Sequence, residues 1–415
     1  MIDGIRTLDD FDVAGKTVLL RVDINSPIDS QTKRIKDDTR IKASVPTIRE
    51  LAEKRAKVVI MAHQADPMDY QNFTSLEEHA SLLQSALGGG KPIKFIDDVV
   101  GPAAREAIKS LGQGEILLLE NVRIHTEETI IFEKQVKLTP AEQAKTIVVQ
   151  KLAPLADLYL CDAFACVHRS EPTLVGFPEV LPSGCGRLFE AEVRVLNKVS
   201  KDPARQCLFM LGGAKILDAF KMMESVLANG TADKVLTTGL VADIMLKAAG
   251  YDLGKETDAL IKDKHLEEFI PTAEKLLKAY PDRVYCPEDV AILRGGKRVE
   301  IDTSSLPADG LIVDIGPKTV DEYGRLILGA GTVFMNGPAG IYEREESAFG
   351  TKSLWEKVAE SEAFSLIGGG DTIAAAKKFG VEDRISYICT AGGGLIMYLS
   401  GDPLPVIEAL RNNNV

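Results

Sequence analysis

The sequence predicts an α/β protein with two doubly wound, Rossmann-like parallel-sheet domains that are joined by an interdomain helix and a hinge. Short β-branched runs alternate with amphipathic helical stretches along nearly the whole chain, which is typical of parallel sheets covered by helices on both faces. The chain has 415 residues, of which 45% are hydrophobic, and this suffices for two buried cores. Ligands of such sheets bind beyond the carboxyl ends of the strands, so we expect functional residues there.

The first half of the chain is predicted to contain strands and helices in alternation. Its clearest helical patterns cover residues 41–56 and 77–87. Its predicted strands are TVLLRVD (17–23), VVIMA (58–62), IKFID (93–97), EILLLEN (115–121) and ADLYLCD (156–162).

The second half repeats the pattern, and nearly all of its predicted strands end near glycine. These strands are CLFMLGG (207–213), KVLTTG (234–239), DRVYCP (282–287), GLIVDIG (310–316), TVFMNG (332–337), FSLIGGG (364–370) and ISYICTAGGG (385–394). We expect the glycine-rich loops to lie at corresponding ends of one sheet.

A boundary between the two domains is predicted near residue 184. The segment 188–201 has a helical apolar pattern and follows the glycine-containing run GCGR, so we predict an interdomain helix with a glycine hinge at its start. The predicted organisation is an N-terminal domain over 1–183, the hinge and helix over 184–201, and a C-terminal domain over 202–399.

The charge balance and the apolar runs exclude several classes of protein. The chain has 49 basic and 61 acidic residues and a net charge of −12, which gives no general attraction for nucleic acid or anionic membranes. No apolar run reaches the roughly 18 residues that span a bilayer, and the first residues lack a signal-peptide layout. We therefore expect a cytoplasmic protein whose six scattered cysteines are reduced.

The glycine-rich loops of the second half indicate phosphate binding, because glycine lets the backbone approach a ligand and a following helix presents free N–H groups. None fits a P-loop, and none is a convincing dinucleotide fingerprint, which argues against the alternative of a nicotinamide dehydrogenase. Lys215 lies at the start of a predicted helix, where a cation is disfavoured by the helix dipole. A bound anion explains why a lysine occurs there. Asp371 and Thr372 open another helix, either as ordinary capping residues or as Mg²⁺ and phosphate contacts, and the two roles are compatible.

The strand ends of the first half carry charged and polar residues instead of glycine. Jointly they predict a basic basin for a small anion, since the arginine fork suits phosphate and carboxylate. A nucleotide site in one domain and an anion site in the other indicate a kinase, in which the protein mainly positions groups and neutralises charge. The residues are Asp23, Asn25, Arg40, Arg123, His168 and Arg169.

The order of these motifs resembles that of the phosphoglycerate kinases, and the resemblance covers about the whole chain. Two segments, NSP after RVDI and TLVGFPE after HRSEP, are most similar to the archaeal branch of the family. The motifs are RVDIN, DDTRI, the strand leading to AH at 62–63, LLENVRIH, DAFACVHRS, LGGAK, NGPAG, GGGDT and the final glycine-rich loop.

The resemblance implies an activity, its ligands and a closing motion. The family transfers a phosphoryl group between the acyl phosphate of 1,3-bisphosphoglycerate and ADP, giving 3-phosphoglycerate and ATP, with Mg²⁺ as the cofactor. Its members close about the interdomain helix. Their C-terminal segment, here about 400–415, returns to the N-terminal domain, and a monomer or homodimer is expected.

The resemblance also implies roles for individual residues. Arg40 and Lys215 would stabilise the transferring phosphoryl group, Gly393 would complete the catalytic set, and Asp371 would bind Mg²⁺. The expected phosphoglycerate ligands are Asp23, Asn25, Arg40, His63, Arg123 and Arg169. The expected nucleotide ligands are Gly213, Lys215, Gly239, Asn336, Pro338, Glu343, Gly370, Asp371, Thr372 and Gly392.

Three positions depart from the family pattern. The loop after the second strand usually reads His-x-Gly-Arg-Pro, but Asp66 replaces the arginine here. An acid near the substrate anion would weaken binding by roughly 2–3 kcal/mol before screening, so Asp66→Arg is expected to lower the KM. Asp66 therefore leaves two alternatives open, a kinase for a related small acid and a nucleotide-binding paralogue with weak catalysis. Ala219 replaces a frequent lysine, and Ala391 replaces a glycine of the last loop.

Overall fold

The chain divides into two compact units. The computed structural model describes residues 1–89, 92–413 and 415. Unit 1 consists of Met1–Arg194 together with Pro403–Val415, and unit 2 consists of Val195–Asp402.

Unit 1 is organised around a six-stranded parallel sheet. The strands are β1 (Thr17–Arg21), β2 (Lys57–Met61), β3 (Ile93–Ile96), β4 (Ile116–Leu119), β5 (Leu158–Cys161) and β6 (Ser183–Cys185). Their order across the sheet is β3-β4-β2-β1-β5-β6, and every pair is parallel. All five residues of β1 are buried, as expected for a strand covered on both faces.

Helices connect these strands and cover the sheet. They are α1 (Thr39–Glu53), α2 (Glu77–Leu87), α3 (Pro102–Lys109), α4 (Ile130–Val136), α5 (Pro140–Gln143) and α6 (Ile147–Leu152). One core cluster joins apolar residues of β1, β2 and β4 to the inner faces of α1 and α2, including Leu20, Ile48, Ile60 and Leu83.

A long helix, α7 (Arg187–Lys201), contains the boundary between the two units, and it agrees closely with the helix predicted over 188–201. Of the two glycines in the run before it, Gly184 lies in β6 and pairs with Leu160 of β5, and Gly186 connects β6 to α7. A Cβ atom on Gly184 would lie 2.7 Å from the carbonyl oxygen of Arg6, so close packing explains this glycine. The hinge itself stays a prediction.

Unit 2 has the longer series of elements. They are β7 (Cys207–Leu211), α8 (Ile216–Ala228), β8 (Lys234–Thr237), α9 (Gly239–Ala248), α10 (Lys255–Asp263), α11 (Ile270–Ala279), β9 (Val284–Tyr285), β10 (Asp289–Arg294), β11 (Lys297–Asp302), β12 (Ile312–Ile315), α12 (Pro317–Leu328), β13 (Thr332–Asn336), α13 (Phe349–Glu360), β14 (Phe364–Ile367), α14 (Gly370–Lys378), β15 (Tyr387–Ile388) and α15 (Gly393–Leu399). The last helix, α16 (Pro405–Arg411), belongs to unit 1.

The strands of unit 2 form two sheets, whereas the sequence predicted one. The main sheet is parallel, in the order β15-β14-β13-β7-β8-β9. The smaller sheet is antiparallel, in the order β11-β10-β12. The placement of the strand predicted over 310–316 in the main sheet was therefore wrong, because β12 pairs with β10.

The cysteines agree with the expectation of reduced thiols. All six are free, and five of them are buried. Within the described ranges, no helix combines the length and the apolar character that crossing a membrane requires.

Candidate active site

Four neighbouring strands of unit 1 deliver predicted site residues to one edge of the sheet. Asp23 follows β1, His63 follows β2, Arg123 follows β4 and Arg169 follows β5. These strands are adjacent in the order β4-β2-β1-β5 and run in parallel, so their carboxyl ends meet at the same edge. Ligand sites of open parallel sheets lie at such edges.

His63 lies in a strongly positive region. It is 4% exposed, and burial is the main cause that lowers its pKa well below the ordinary value. The positive charges that add to this effect belong to four arginines: Arg123, Arg21, Arg40 and Arg169. The structure therefore brings three predicted arginines and one further arginine together around a neutral imidazole, which suits an anion.

Arg21 is the further arginine, and sequence reasoning missed its role. Its side chain is fully buried, and its Nε atom donates to Oγ1 of Thr173 over 3.0 Å. Its Nη2 atom donates to Nδ1 of His63 over 3.1 Å. Because arginine offers only donors, Nδ1 is the acceptor and Nε2–H becomes the donor of the His63 ring. A charged residue inside the apolar run TVLLRVD was the available signal.

Arg123 is tied to protein groups on every side. It donates to the carbonyl oxygen of Ala65 over 2.6 Å, to Oε1 of Glu171 over 2.6 Å and to the carbonyl oxygen of Glu128 over 3.3 Å. Burial and the charge of Glu171 raise the pKa of Glu128 to about 8. Arg123 thus holds the loop that contains Ala65, and its predicted contact with a substrate stays a prediction.

Asp23, Asn25 and Arg40 form a connected set at the end of β1. Arg40 pairs with Asp23 over 2.8 Å, and Asp23 accepts a hydrogen bond from the backbone N–H of Asn25. Asp23, His63 and Cys166 have ligand atoms within 4.8 Å of one another, a spacing that suits a metal ion. The bound guanidinium of Arg40 and the nearby positive charges disfavour a cation there, so we assign no metal to this cluster.

The orientation of Asp66 corrects the expectation that it faces the substrate. The residue is 8% exposed. Its Oδ2 atom accepts a hydrogen bond from the backbone N–H of Ile130 over 3.0 Å, and Oδ1 accepts one from Met68 over 3.1 Å. Since Ile130 is the first residue of α4, the carboxylate satisfies a free N–H group and complements the helix dipole.

Replacing Asp66 with alanine is expected to lower the free energy of unfolding by about 1 kcal/mol, because the start of α4 loses an acceptor. Urea denaturation measures this change, and Asp66→Asn, which keeps one acceptor oxygen, should lose less. The earlier expectation that Asp66→Arg lowers the KM is replaced by one of destabilisation. An Asp66→Ala protein with unchanged stability and a lower KM for the acid would contradict this assignment.

Arg169 is held by a carboxylate on α4. Its Nη1 atom pairs with Oε2 of Glu133 over 3.0 Å, and Oε1 of Glu133 accepts the backbone N–H of Ser170 over 2.7 Å. The side chains of Arg169 and Glu133 are 24% and 16% exposed. Glu133 therefore competes with any anionic ligand for the Arg169 guanidinium.

Replacing Glu133 with glutamine should lower the KM for an anionic substrate by roughly threefold and leave kcat unchanged, because an ion pair of this exposure is worth about 0.2–1 kcal/mol. Glutamine keeps the oxygen that accepts the Ser170 N–H. Steady-state kinetics at low ionic strength measures the effect on KM. Glu127→Gln is the control, because Glu127 lies shortly before α4 and Arg169 pairs with Glu133 instead. A raised KM would mean that Glu133 orders Arg169 for binding.

Unit 2 brings glycine-rich loops together at the carboxyl ends of β7, β8, β13 and β14. The N–H of Gly213 donates to the carbonyl oxygen of Pro338 over 2.9 Å, and that of Gly337 donates to Oγ1 of Thr372 over 2.8 Å. Gly337 has φ +91°, and a Cβ atom there would lie 2.1 Å from the carbonyl oxygen of Gly212. This position therefore requires glycine.

A cavity of about 400 Å³ opens beside these loops. This volume suits a small ligand. Its apolar wall includes Val290, Leu311 and Val313. The predicted nucleotide ligands that line it are Gly213, Gly239, Pro338, Glu343 and Asp371.

The remaining predicted residues of unit 2 are not among those that line the cavity. Asn336 and Thr372 are buried, and the Asn336 amide donates to the carbonyl oxygen of Gly368 over 2.9 Å, so these two side chains join neighbouring loops. Lys215 is exposed and directly precedes α8. The exposed Gly370 is the first residue of α14, and Gly392 and Gly393 start α15.

The two other departures from the family pattern are accommodated by packing. Ala219 is 3% exposed on α8, and Ala391 is fully buried. Lys221, the nearest lysine to Ala219, pairs with Asp402 over 2.6 Å and does not line the cavity. Lys221 is therefore no substitute for the family lysine.

Asp371 fits the expected magnesium ligand. It is exposed, lies in the first turn of α14 and lines the cavity. Mg²⁺ is commonly bound by one or two carboxylates together with substrate phosphates and water. Asp371 offers one such carboxylate, and the glycine-rich loops beside it are where the substrate phosphates are expected.

Comparisons with known proteins agree with the family resemblance along both halves of the chain. Among curated proteins, the phosphoglycerate kinase of Methanothermobacter thermautotrophicus is 46% identical over 98% of this chain and 97% of its own. That of Methanothermus fervidus is 44% identical over 98% and 96%.

Solved structures and a family model extend the agreement. The crystal structure of phosphoglycerate kinase from Pyrococcus horikoshii OT3 matches with a TM-score of 0.86 and 40% identity, covering 97% of this chain and 98% of that one. The structure from Coxiella burnetii matches with a TM-score of 0.82 and 29% identity over 98% of both chains. The family model described as phosphoglycerate kinase matches residues 8–402. The chain belongs to the phosphoglycerate kinase family.

Proposed function

We propose that this protein is a phosphoglycerate kinase, which transfers a phosphoryl group reversibly from the acyl phosphate of 1,3-bisphosphoglycerate to ADP and gives 3-phosphoglycerate and ATP. The observation that carries the proposal is the cluster of four arginines around the buried, neutral His63. Such a cluster, in a chain of net charge −12, is suited to a small molecule with several negative charges.

In unit 1, the arginines and His63 bind the phosphoglycerate. Arg40 and Arg169 are the partly exposed members, so they contact the ligand directly. Asp23 holds Arg40 in place, and Asn25 fixes the loop after β2 by accepting the N–H of Ala65 over 3.0 Å. Nε2–H of His63 donates a hydrogen bond to a ligand oxygen, because Arg21 occupies Nδ1.

In unit 2, the cavity holds the nucleotide. Gly213 and Gly239 line the cavity and let the backbone approach the nucleotide closely, and Glu343 contacts its ribose, with Lys378 fixing the carbonyl oxygen of Glu343 over 3.0 Å. Asp371 binds Mg²⁺, which neutralises phosphate charge when bound. Lys215 neutralises charge on the transferring group.

Transfer is direct and in line between the two substrates. The protein supplies position and positive charge, and no covalent intermediate on a side chain is needed. The hinge motion about α7 that brings the ligands together stays a prediction. The orientation of Asp66 removes the basis for the two alternatives that it left open, since its oxygens bind backbone N–H groups.

Steady-state turnover on a panel of acids tests the proposal. ATP consumption with Mg²⁺ is measured with 3-phosphoglycerate, with 2-phosphoglycerate and without acid, while the acyl phosphate product is trapped. We expect turnover with 3-phosphoglycerate only. Turnover with 2-phosphoglycerate alone would assign a related acid, and ATP binding without any turnover would assign a nucleotide-binding paralogue.

Two further properties belong to the same proposal. We expect a cytoplasmic location, which cell fractionation tests, and a monomer or homodimer, which sedimentation tests. Neither nucleic acid nor membrane is an expected partner, because the acidic chain offers no general attraction for polyanions.

A further inference from the structure

One buried carboxyl group in the nucleotide cavity has no role in the proposed reaction. Asp243 lies on α9, lines the cavity and is only 4% exposed. Within residues 1–89, 92–413 and 415, no hydrogen bond or ion pair is made by its side chain. Burial raises its pKa to about 8, so the group is mainly protonated at neutral pH.

A buried carboxyl group without a partner is costly. Burying even a neutral polar group without a hydrogen-bond partner destabilises the folded state, and most buried polar side chains avoid this cost by hydrogen bonding. Helix capping does not explain Asp243, because it is the fifth residue of α9 and lies beyond the free N–H groups of the first turn. A group that faces a cavity is satisfied when a ligand occupies that cavity.

The position of Asp243 along α9 indicates which part of a nucleotide it meets. Gly239, at the start of α9, lines the same cavity and lies where phosphate binding is expected. Asp243 is four residues further along, about 6 Å down the helix axis. The apolar side chains of Val290, Leu311 and Val313 line the same cavity and suit the faces of a planar ring.

We propose that Asp243 recognises the base of the nucleotide, by hydrogen bonding to the amine of adenine and its adjacent ring nitrogen. The inference rests on the proposed function, in which this cavity holds ADP or ATP. A protonated carboxyl group has one donor and one acceptor side by side, and the amino edge of adenine presents the complementary pair. The apolar wall supplies affinity for any purine, and Asp243 supplies selectivity for one with a hydrogen-bonding edge.

The test compares two nucleotides that differ only at this edge. Binding of ADP and of purine riboside 5′-diphosphate, which lacks the amine, is measured by calorimetry. The wild-type protein should bind ADP about tenfold more tightly, as expected for one or two hydrogen bonds. Asp243→Leu should remove most of this difference by weakening ADP alone. Asp243→Asn keeps one donor and one acceptor and should preserve it.

The outcomes separate this inference from the proposed function. Thermal unfolding of Asp243→Leu serves as the folding control, and its Tm should not fall, because the substitution removes an unpaired buried polar group. If the wild-type protein binds both nucleotides equally, or if Asp243→Leu weakens both alike, the role of Asp243 is refuted while the kinase assignment stands. If the wild-type protein binds neither, the nucleotide cavity itself is refuted.

Discussion

Replacing Lys215 with alanine is expected to lower kcat by about 10²–10³-fold and to leave phosphoglycerate binding within about twofold of the wild type. Lys215 is exposed at the residue that directly precedes α8. A cation is disfavoured near a helix N-terminus unless an anion is bound there. Because positioned charge is a large contribution to phosphoryl transfer, its removal should act mainly on the transition state.

Lys221→Ala is the matched control for this experiment. Lys221 lies on α8, which Lys215 precedes; it is half exposed, pairs with Asp402 and does not line the cavity. We expect its substitution to leave kcat unchanged. Calorimetric titration with 3-phosphoglycerate measures binding of the acid. We expect this binding to persist in Lys215→Ala, because Lys215 and the arginine cluster lie in different units. Loss of acid binding in a folded Lys215→Ala protein would overturn the two-site assignment.

Replacing Arg21 with methionine is expected to lower the free energy of unfolding by about 3–5 kcal/mol, which is the usual cost of breaking a buried charge network by removing one partner. The guanidinium is fully buried and hydrogen bonds to Thr173, to His63 and to the carbonyl oxygen of Val22. Its charge also lowers the pKa of Glu128, which burial raises. Loss of the Arg21 side chain leaves Nδ1 of His63 without its hydrogen-bond donor. It also removes a positive charge that stabilises the ionised form of Glu128.

Arg34→Met is the matched control, since Arg34 is 73% exposed and forms a surface ion pair with Glu78. Surface pairs of this kind contribute at most about 1 kcal/mol. Chemical denaturation of both variants measures the difference. A loss of stability in Arg21→Met no larger than that in Arg34→Met would show that the buried network is not needed for folding.

The central strands of both main sheets were predictable because each is a short run of buried apolar residues. Sequence reasoning missed β6, β10 and β11. β10 was missed although it contains the buried apolar residues Val290 and Ile292, whereas β6 and β11 lack this property. β6 is only three residues long and contains a glycine, and β11 is largely polar because it lies at the edge of a small sheet. The Gly295-Gly296 pair between β10 and β11 was an available hairpin signal.

For the candidate site, the positions of the residues were predictable from the sequence, but their hydrogen-bond and ion-pair partners were not. Strand-end position identified the residues around His63, because parallel strands deliver their following residues to one edge. Their partners were not predictable, since the Ile130 N–H that Asp66 binds lies 64 residues away and the Glu133 that pairs with Arg169 lies 36 residues away. Such pairings depend on the folded positions of α4 and the loops.

The stereochemical course of the reaction tests the central claim of direct transfer most directly. ATP that is chiral at the γ-phosphorus through oxygen isotopes is used to phosphorylate 3-phosphoglycerate, and the configuration of the transferred group is then determined. Inversion is the result that we predict, because a single in-line displacement inverts the phosphorus centre. Retention would contradict the account, since it requires a second displacement through a phosphorylated side chain.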